Sequence, residues 1–265
     1  MKCISLNRIQ RRRFKVVIDS INGAGSDALP AMLQALGCEV IELNCEPNGN
    51  FTRGTEPLPE NLADLSQMVK KHHANVGFAI DPDADRLAIV NEKGEPLGEE
   101  YTIVLAADGY LKEMNQIEKF VLNLSSSLAL EKLAESKGSS VVRSAVGEIN
   151  VVNKMNEVSS NLGGEGNGGV ILRECHLGRD SLVGVTMVLN RMSQSNEPLS
   201  SIHQSLPQFI IVKDKVNIEG IDAEDIIKKA ANFFKNAEKN TLDGIKFIWE
   251  DKWVHLRKSN TEPII

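Results

Sequence analysis

The sequence predicts an α/β protein, with two consecutive α/β layered domains of mixed sheets flanked by helices, followed by a partial α+β C-terminal domain. Three observations predict it. Short apolar runs of strand length alternate with longer segments whose apolar residues recur at helical spacing. The alternation runs through twice. Beyond Pro207 it gives way to strands grouped around a single amphipathic helix. At 265 residues, 42% hydrophobic and 25% charged, the chain has an ordinary globular composition and room for two domains and part of a third.

Residues 1–13 read as an N-terminal extension, in which Arg8, Arg11, Arg12 and Arg13, with Lys15, form a basic cluster expected to be a solvated face. The first domain, 14–117, opens with a buried strand over 14–19. The strand ends in the glycine turn Gly23-Ala24-Gly25, ahead of a helix capped by Ser26 that runs to Gly37. Strand, turn and helix in this order match half of a dinucleotide fingerprint, but the third glycine is missing and a plain tight turn accounts for them. Residues 39–43 alternate as a strand. Residues 46–60, rich in Pro, Gly and Asn, form a long loop of the kind that often carries function. A helix over 61–74 ends in His72 and His73, surface residues favoured there by the helix dipole. Strands over 76–80 and 87–90, a turn at Lys93-Gly94 and a helix over 98–114 complete the domain.

The second domain, 118–206, repeats the scheme: strand 119–123, helix 127–137 stopped by Gly138, strand 140–146 and helix 148–157. A glycine-rich loop then enters a strand at 170–172. Gly178-Arg179-Asp180 precedes a helix over 181–193, and the turn Asn196-Glu197-Pro198 leads to a short helix. In the third domain, 207–265, the pattern predicts a strand over 209–218, an amphipathic helix over 223–238, and strands over 245–250 and 253–256.

No apolar run approaches the ~18 residues of a membrane span, and the start Met1-Lys2-Cys3-Ile4 has no signal-peptide core. Cys3, Cys38, Cys45 and Cys175 make no C-x-x-C pair and have no His at zinc spacing, so they read as reduced thiols of a cytoplasmic protein. Asn50-Phe51-Thr52 and Asn123-Leu124-Ser125 read as chance matches to a glycosylation sequon. The net charge of −6 argues against a nucleic-acid partner.

The densest chemistry lies in Asp81-Pro82-Asp83-Ala84-Asp85-Arg86, at the mouth of two buried strands. In an extended loop alternate side chains share a side, so Asp81, Asp83 and Asp85 can converge on one cation. Three hard oxygen donors suit Mg²⁺ or Ca²⁺. Without a cation the carboxylates repel one another, and Arg86 neutralises only part of that charge. A solvated acidic turn is the bland alternative. Glu92 at the twelfth position also invites comparison with an EF-hand loop. That motif requires Gly where Arg86 stands, and here position two is Pro82 and the flanks are β-like.

Two further loops stand out. In Gly163-Gly164-Glu165-Gly166-Asn167-Gly168-Gly169 the glycines let backbone approach a ligand, while Glu165 and Asn167 offer hydrogen-bonding groups suited to sugar hydroxyls. The alternative is a flexible linker, but the loop is held between regular elements, where function concentrates. Arg257-Lys258-Ser259-Asn260-Thr261-Glu262-Pro263 gathers a guanidinium, an ammonium, hydroxyls and an amide, an inventory suited to phosphate or simply to an exposed polar turn.

Together with residues 19–26, 51–62, 146–150 and 178–180, these loops give the chain a pattern that resembles the α-D-phosphohexomutase family from about Phe14 onward. The family comprises the phosphoglucosamine, phosphomannose and phosphoglucose mutases. The resemblance implies that Asp81, Asp83 and Asp85 hold Mg²⁺ and that Arg86 lies beside the catalytic phosphoryl group. It also implies that Glu165 and Asn167 grip sugar hydroxyls and that Arg257, Ser259, Asn260 and Thr261 hold the phosphate that stays in place. The reaction it implies moves a phosphoryl group between O1 and O6 of a hexose phosphate, through a hexose bisphosphate and a phosphoserine.

The sequence departs from the family at two points. It shows no Thr-Ala-Ser-His-Asn-Pro type loop, and Ser125, Ser126 and Ser127 do not resemble one; the expectation is that the N-terminal phosphoserine domain and the end of the C-terminal domain are missing. Gly169 stands where some members have His, which leaves the hexose open. Two readings follow. Either the chain is part of a phosphohexomutase for glucosamine-phosphate or mannose-phosphate, inactive alone, or it is a non-catalytic Mg²⁺ and sugar-phosphate binding module.

Overall fold

The computed structural model describes residues 2–258 and 263–265. Two four-stranded mixed sheets are built on one plan. In the first, β1 (Lys15–Asp19), β2 (Glu39–Leu43), β3 (Val76–Ile80) and β4 (Leu87–Asn91) lie in the order β2-β1-β3-β4. In the second, β5 (Lys119–Asn123), β6 (Ser140–Ser144), β7 (Leu162–Gly164) and β8 (Val170–Leu172) lie in the order β6-β5-β7-β8. The first three strands of each sheet pair in parallel and the fourth is antiparallel to the third. The β3–β4 turn therefore corresponds to the β7–β8 turn. The aspartate loop 81–86 and the glycine loop 165–169 are these two turns.

Helices cover both sheets: α2 (Ala28–Ala35), α3 (Ala63–His72) and α4 (Tyr101–Met114), then α5 (Ala129–Ser136), α6 (Glu148–Val158) and α7 (Ser181–Ser193). Both α4 and α7 are buried almost throughout, because they pack on each other between the sheets. One core runs from Val16, Phe78 and Ile80 through Leu105 and Val188 to Phe120 and Leu122. Arg191 is enclosed there and pairs with Asp108 across the two helices.

Residues ahead of Phe14 are an integral part of this core. They form α1 (Leu6–Arg12), whose Ile9 is fully buried, and which packs on α7. The expected solvated basic face is therefore divided. Arg11 and Arg13 are exposed, but Arg8 pairs with Glu113 and Arg12 sits over the Phe14 ring.

After α8 (Leu199–Gln204) the expectations fail locally. Residues 209–218 form no regular strand; Ile210 and Val212 are exposed, and Asn217 bridges to Ile264. Their alternation has β propensity, but only the end of the run finds a partner: Val216 and Ile265 exchange backbone hydrogen bonds, and the Ile218 N–H donates to the Pro263 carbonyl. The expected helix over 223–238 ends early: α9 spans Ala223–Phe233, and β9 (Glu238–Asn240) follows. Phe234 turns in against Phe247 and Trp249, which stops the helix. With β10 (Ile245–Ile248) and β11 (Trp253–Leu256), β9 forms an antiparallel sheet in the order β11-β10-β9. None of the four cysteines is in a disulfide, and burial pushes the thiols of Cys3 and Cys38 up to about 11. Among the described residues no helix is long and apolar enough to cross a membrane.

Candidate functional site

Parallel strands flanked by helices leave a crevice at their carboxyl ends, where ligands of α/β sheets bind. Asp81 follows β3 there. Its Oδ1 accepts the backbone N–H groups of Asp85 and Arg86, both at 2.9 Å, and this curls the loop back on itself. Ala84 takes the left-handed conformation, φ 61°, to close the curl. The result brings one ligand oxygen each of Asp81, Asp83 and Asp85 within 4.8 Å of one another.

These donors fit a hard divalent cation. Asp81 Oδ1 is taken by backbone, and Asp85 Oδ2 by Arg179, while Asp85 Oδ1 is buried without a hydrogen-bond partner. Burial pushes the Asp81 carboxyl up to about 7. The Arg86 N–H opposes that shift and the charges of Asp85 and Asp83 add to it. A buried Asp81 carboxyl that resists ionisation is what an adjacent dication relieves.

Arg86 is half-buried beside the cluster, 3.6 Å from Asp81 and 3.8 Å from Asp85, and reaches out to Glu56 at 2.9 Å. Glu56 belongs to the long loop between β2 and α3, anchored by Arg53. The Arg53 guanidinium donates to Asp19 at 2.8 Å and to the Ile80 carbonyl at 2.6 Å, immediately before Asp81.

The glycine loop meets the aspartate loop directly. The Leu87 N–H donates to the Gly168 carbonyl at 3.2 Å, and Ser181 Oγ donates to the Ala84 carbonyl at 2.7 Å. Arg179 joins the loops through its side chain, with one nitrogen on Asp85, another on Glu165 at 2.7 Å and a third on Glu148 at 3.1 Å. Its Cδ lies where a Cβ at residue 169 would stand, so Gly169 makes room for this arginine. Asp180 beside it caps α7, accepting the N–H groups of Leu182 and Val183.

Glu165 is 3% exposed. Oε1 accepts from Asn123 at 2.7 Å and from the Gly147 N–H at 3.1 Å, and Oε2 faces Arg179 and Asn167. Asn167 is half-buried at the rim and holds the loop by accepting the Gly169 N–H. Behind the loop stands Glu100, whose carboxylate fills the space a side chain at Gly166 would need. Burial pushes Glu100 up to about 7, eased by the Ser127 N–H.

The structure thus brings together Asp81, Asp83, Asp85, Arg86, Glu165 and Asn167. Arg257 is exposed just past β11, and Ser259, Asn260 and Thr261 lie outside the described residues. The motif pattern singled out Gly178-Arg179-Asp180 without giving Arg179 a partner, and missed Arg53, Glu100 and Asn123. An arginine just before an N-capping Asp, in a chain with two acidic loops, is the one signal that pointed to Arg179.

Comparisons with known proteins match most of the chain. Residues 1–94 match the family model described as phosphoglucomutase/phosphomannomutase, alpha/beta/alpha domain II, and residues 98–209 match the model for domain III. A phosphoglucomutase/phosphomannomutase of Thermococcus kodakarensis is 37% identical over 265 residues, covering 99% of this chain and 58% of that protein. A phosphoglucosamine/phosphogalactosamine mutase of Sulfurisphaera tokodaii is 29% identical over 99% of this chain and 59% of its own length. Among solved structures, a phosphoglucomutase/phosphomannomutase family protein of Burkholderia thailandensis superposes with a TM-score of 0.83 at 27% identity, covering 98% of this chain and 57% of that one. The chain spans somewhat over half the length of each.

Proposed function

The chain belongs to the α-D-phosphohexomutase family, and from that premise we propose that it carries the cation-holding and sugar-holding surfaces of a hexose phosphate mutase. The reaction interconverts hexose 1-phosphate and hexose 6-phosphate through a hexose bisphosphate, with glucosamine-phosphate or mannose-phosphate as the favoured substrate. The phosphoserine that donates the phosphoryl group is supplied from outside these residues, and the chain by itself does not turn over.

The observation that carries this reading is the joining of the aspartate loop to the glycine loop through Arg179. An acidic turn with no functional tie would not be held against a second, glycine-rich turn by a shared, mostly buried cation. Asp81, Asp83 and Asp85 would hold Mg²⁺, which when bound supplies positive charge to a phosphoryl group in transfer. Arg86 presents its guanidinium at the edge of that cluster, where it steadies the same phosphoryl oxygens. Asn167 and Glu165 hold sugar hydroxyls, and Glu165 does so by releasing one of its present partners. Arg257, with Ser259, Asn260 and Thr261, holds the distal phosphate, which fixes the sugar in line.

Calorimetric titration with Mg²⁺, and coupled assays on glucosamine-, mannose- and glucose-phosphates with a bisphosphate activator, test the reading. The expected outcome is Mg²⁺ binding weakened at least tenfold in Asp83→Asn, and no turnover by the chain alone. Absence of Mg²⁺ binding would sink the assignment of the metal site. Turnover that Asp83→Asn abolishes would refute the inactivity.

A further inference from the structure

The seam between the second sheet and the C-terminal sheet holds a serine–histidine pair that the aspartate site does not use. Ser125 Oγ lies 2.9 Å from His255 Nδ1. The other ring nitrogen, Nε2, lies 2.6 Å from the Asp243 carbonyl, which can only accept. His255 therefore carries its proton on Nε2, and Nδ1 presents a lone pair to the Ser125 hydroxyl. Asp243 is in turn held by its carboxylate, which accepts the Val146 N–H at 3.0 Å. An oriented imidazole on a half-buried serine is the arrangement that makes a hydroxyl nucleophilic.

The surroundings select the electrophile. The Ser125 N–H is taken by Asn123 Oδ1, the Ser126 N–H by the Asn123 carbonyl and the Ser127 N–H by Glu100, so the loop offers no backbone donors to a tetrahedral oxyanion. Acyl transfer is disfavoured accordingly. Cations are present instead. Lys246 Nζ donates to the carbonyl of the adjacent Leu124 at 2.6 Å and sits over the Trp253 ring, and the charges of both Lys246 and Arg257 reach His255. Burial pulls the Lys246 ammonium down to about 7, so it is charged on the acid side of neutrality, where positive charge beside a serine suits an incoming phosphoryl group.

We infer that Ser125 and His255 form a nucleophilic dyad that takes up a phosphoryl group from a small anionic phosphoryl donor. The Oγ–P bond forms as the P–O bond to the leaving group breaks. The Ser125 proton passes to His255 Nδ1 and then to solvent, and with acetyl phosphate acetate departs as the anion. The dyad requires neither the sugar nor the divalent cation of the aspartate site.

Burial lowers the His255 pKa from its ordinary 6.5; the bond to Asp243 opposes that shift, while Lys246 and Arg257 add to it, so the ring is a free base at neutral pH. The charged groups facing the seam are Lys246 from β10, Asp243 from the turn before it, Arg257 beyond β11, and Glu100, Arg143 and Glu131, which act through Lys246.

The test is incubation of the chain with acetyl phosphate and no added metal, with phosphopeptide mapping by mass spectrometry. Phosphoserine at position 125 is expected. It should be lost in Ser125→Ala and reduced at least tenfold in His255→Asn, whose amide can keep the hydrogen bond but cannot take the proton. Uptake by the unaltered chain is expected to rise with pH as His255 loses its proton below 6.5 and to fall again as Lys246 loses its charge around 7, a readout that needs no variant to fold. A phosphoryl group found on Asp81, Asp83, Asp85 or His255 but not on Ser125 overturns the inference. So does a flat pH profile, or a folded His255→Asn protein that labels as fast as the original.

Discussion

Arg179 shares one guanidinium among three carboxylates that lie 94, 31 and 14 positions away in the chain, Asp85, Glu148 and Glu165. That distribution explains why the aspartates were legible in the sequence and Arg179 was not. Asp81, Asp83 and Asp85 announce themselves by local spacing, whereas a hub is defined by partners brought together only on folding. Removing the hub leaves Glu148 and Glu165 without the charge they face and Asp85 with only the more distant Arg86. Arg179→Met is therefore expected to destabilise the chain by about 3 kcal/mol, as a lower urea midpoint in the absence of added metal. Glu100 links stability to pH. Its carboxyl is raised from 4.5 to about 7, so its favourable contribution is fully present below 4.5 and is lost as pH climbs through 7. Glu100→Gln removes that titration. Urea unfolding at several pH values is expected to show the unaltered chain losing up to about 3 kcal/mol more than the variant between pH 4.5 and 7.

The β3–β4 and β7–β8 turns occupy equivalent places in two sheets of the same strand order. After β1, Asp19 accepts the Ile21 N–H with its side chain; after β5, Asn123 accepts the Ser125 N–H in the same way. The alternation of strand and helix foretold both sheets, because burial on two faces imposes a continuous apolar run on each central strand. It could not foretell which turns would face each other, since that depends on how α4 and α7 pack. Residues 209–218 misled for the opposite reason: their pattern was β-like, but a strand requires a partner along its length, which only 216–218 find and which sequence periodicity does not reveal. Gly168 is the test at this scale. It has φ 90°, and a Cβ there would lie 2.9 Å from the Leu87 nitrogen. Gly168→Ala is expected to lower stability by about 2 kcal/mol, as a lower melting temperature, and to weaken Mg²⁺ binding in the same calorimetric titration, because it pushes β7–β8 off the strand that follows the aspartates.

Across the whole molecule, cohesion is uneven. The two four-stranded sheets share one apolar core through α4 and α7, whereas the third sheet meets them through polar contacts such as Lys246 with Leu124, His255 with Ser125 and Asp243 with Val146. A continuous core unfolds as a unit, and a polar seam opens before it. Hydrogen exchange is expected to show 209–258 opening first and the two large sheets protected together; separate protection of residues 15–91 and 119–172 would contradict a shared core. The Arg179 bridge has one further thermodynamic consequence. Asp85 cannot serve a dication and a guanidinium at full strength together, so metal and arginine are antagonists at one carboxylate. Any anion that draws Arg179 away relieves the antagonism, and linkage requires the benefit to be mutual. Metal and anionic ligand then strengthen each other's binding by the same factor, so a site empty of one discriminates against the other.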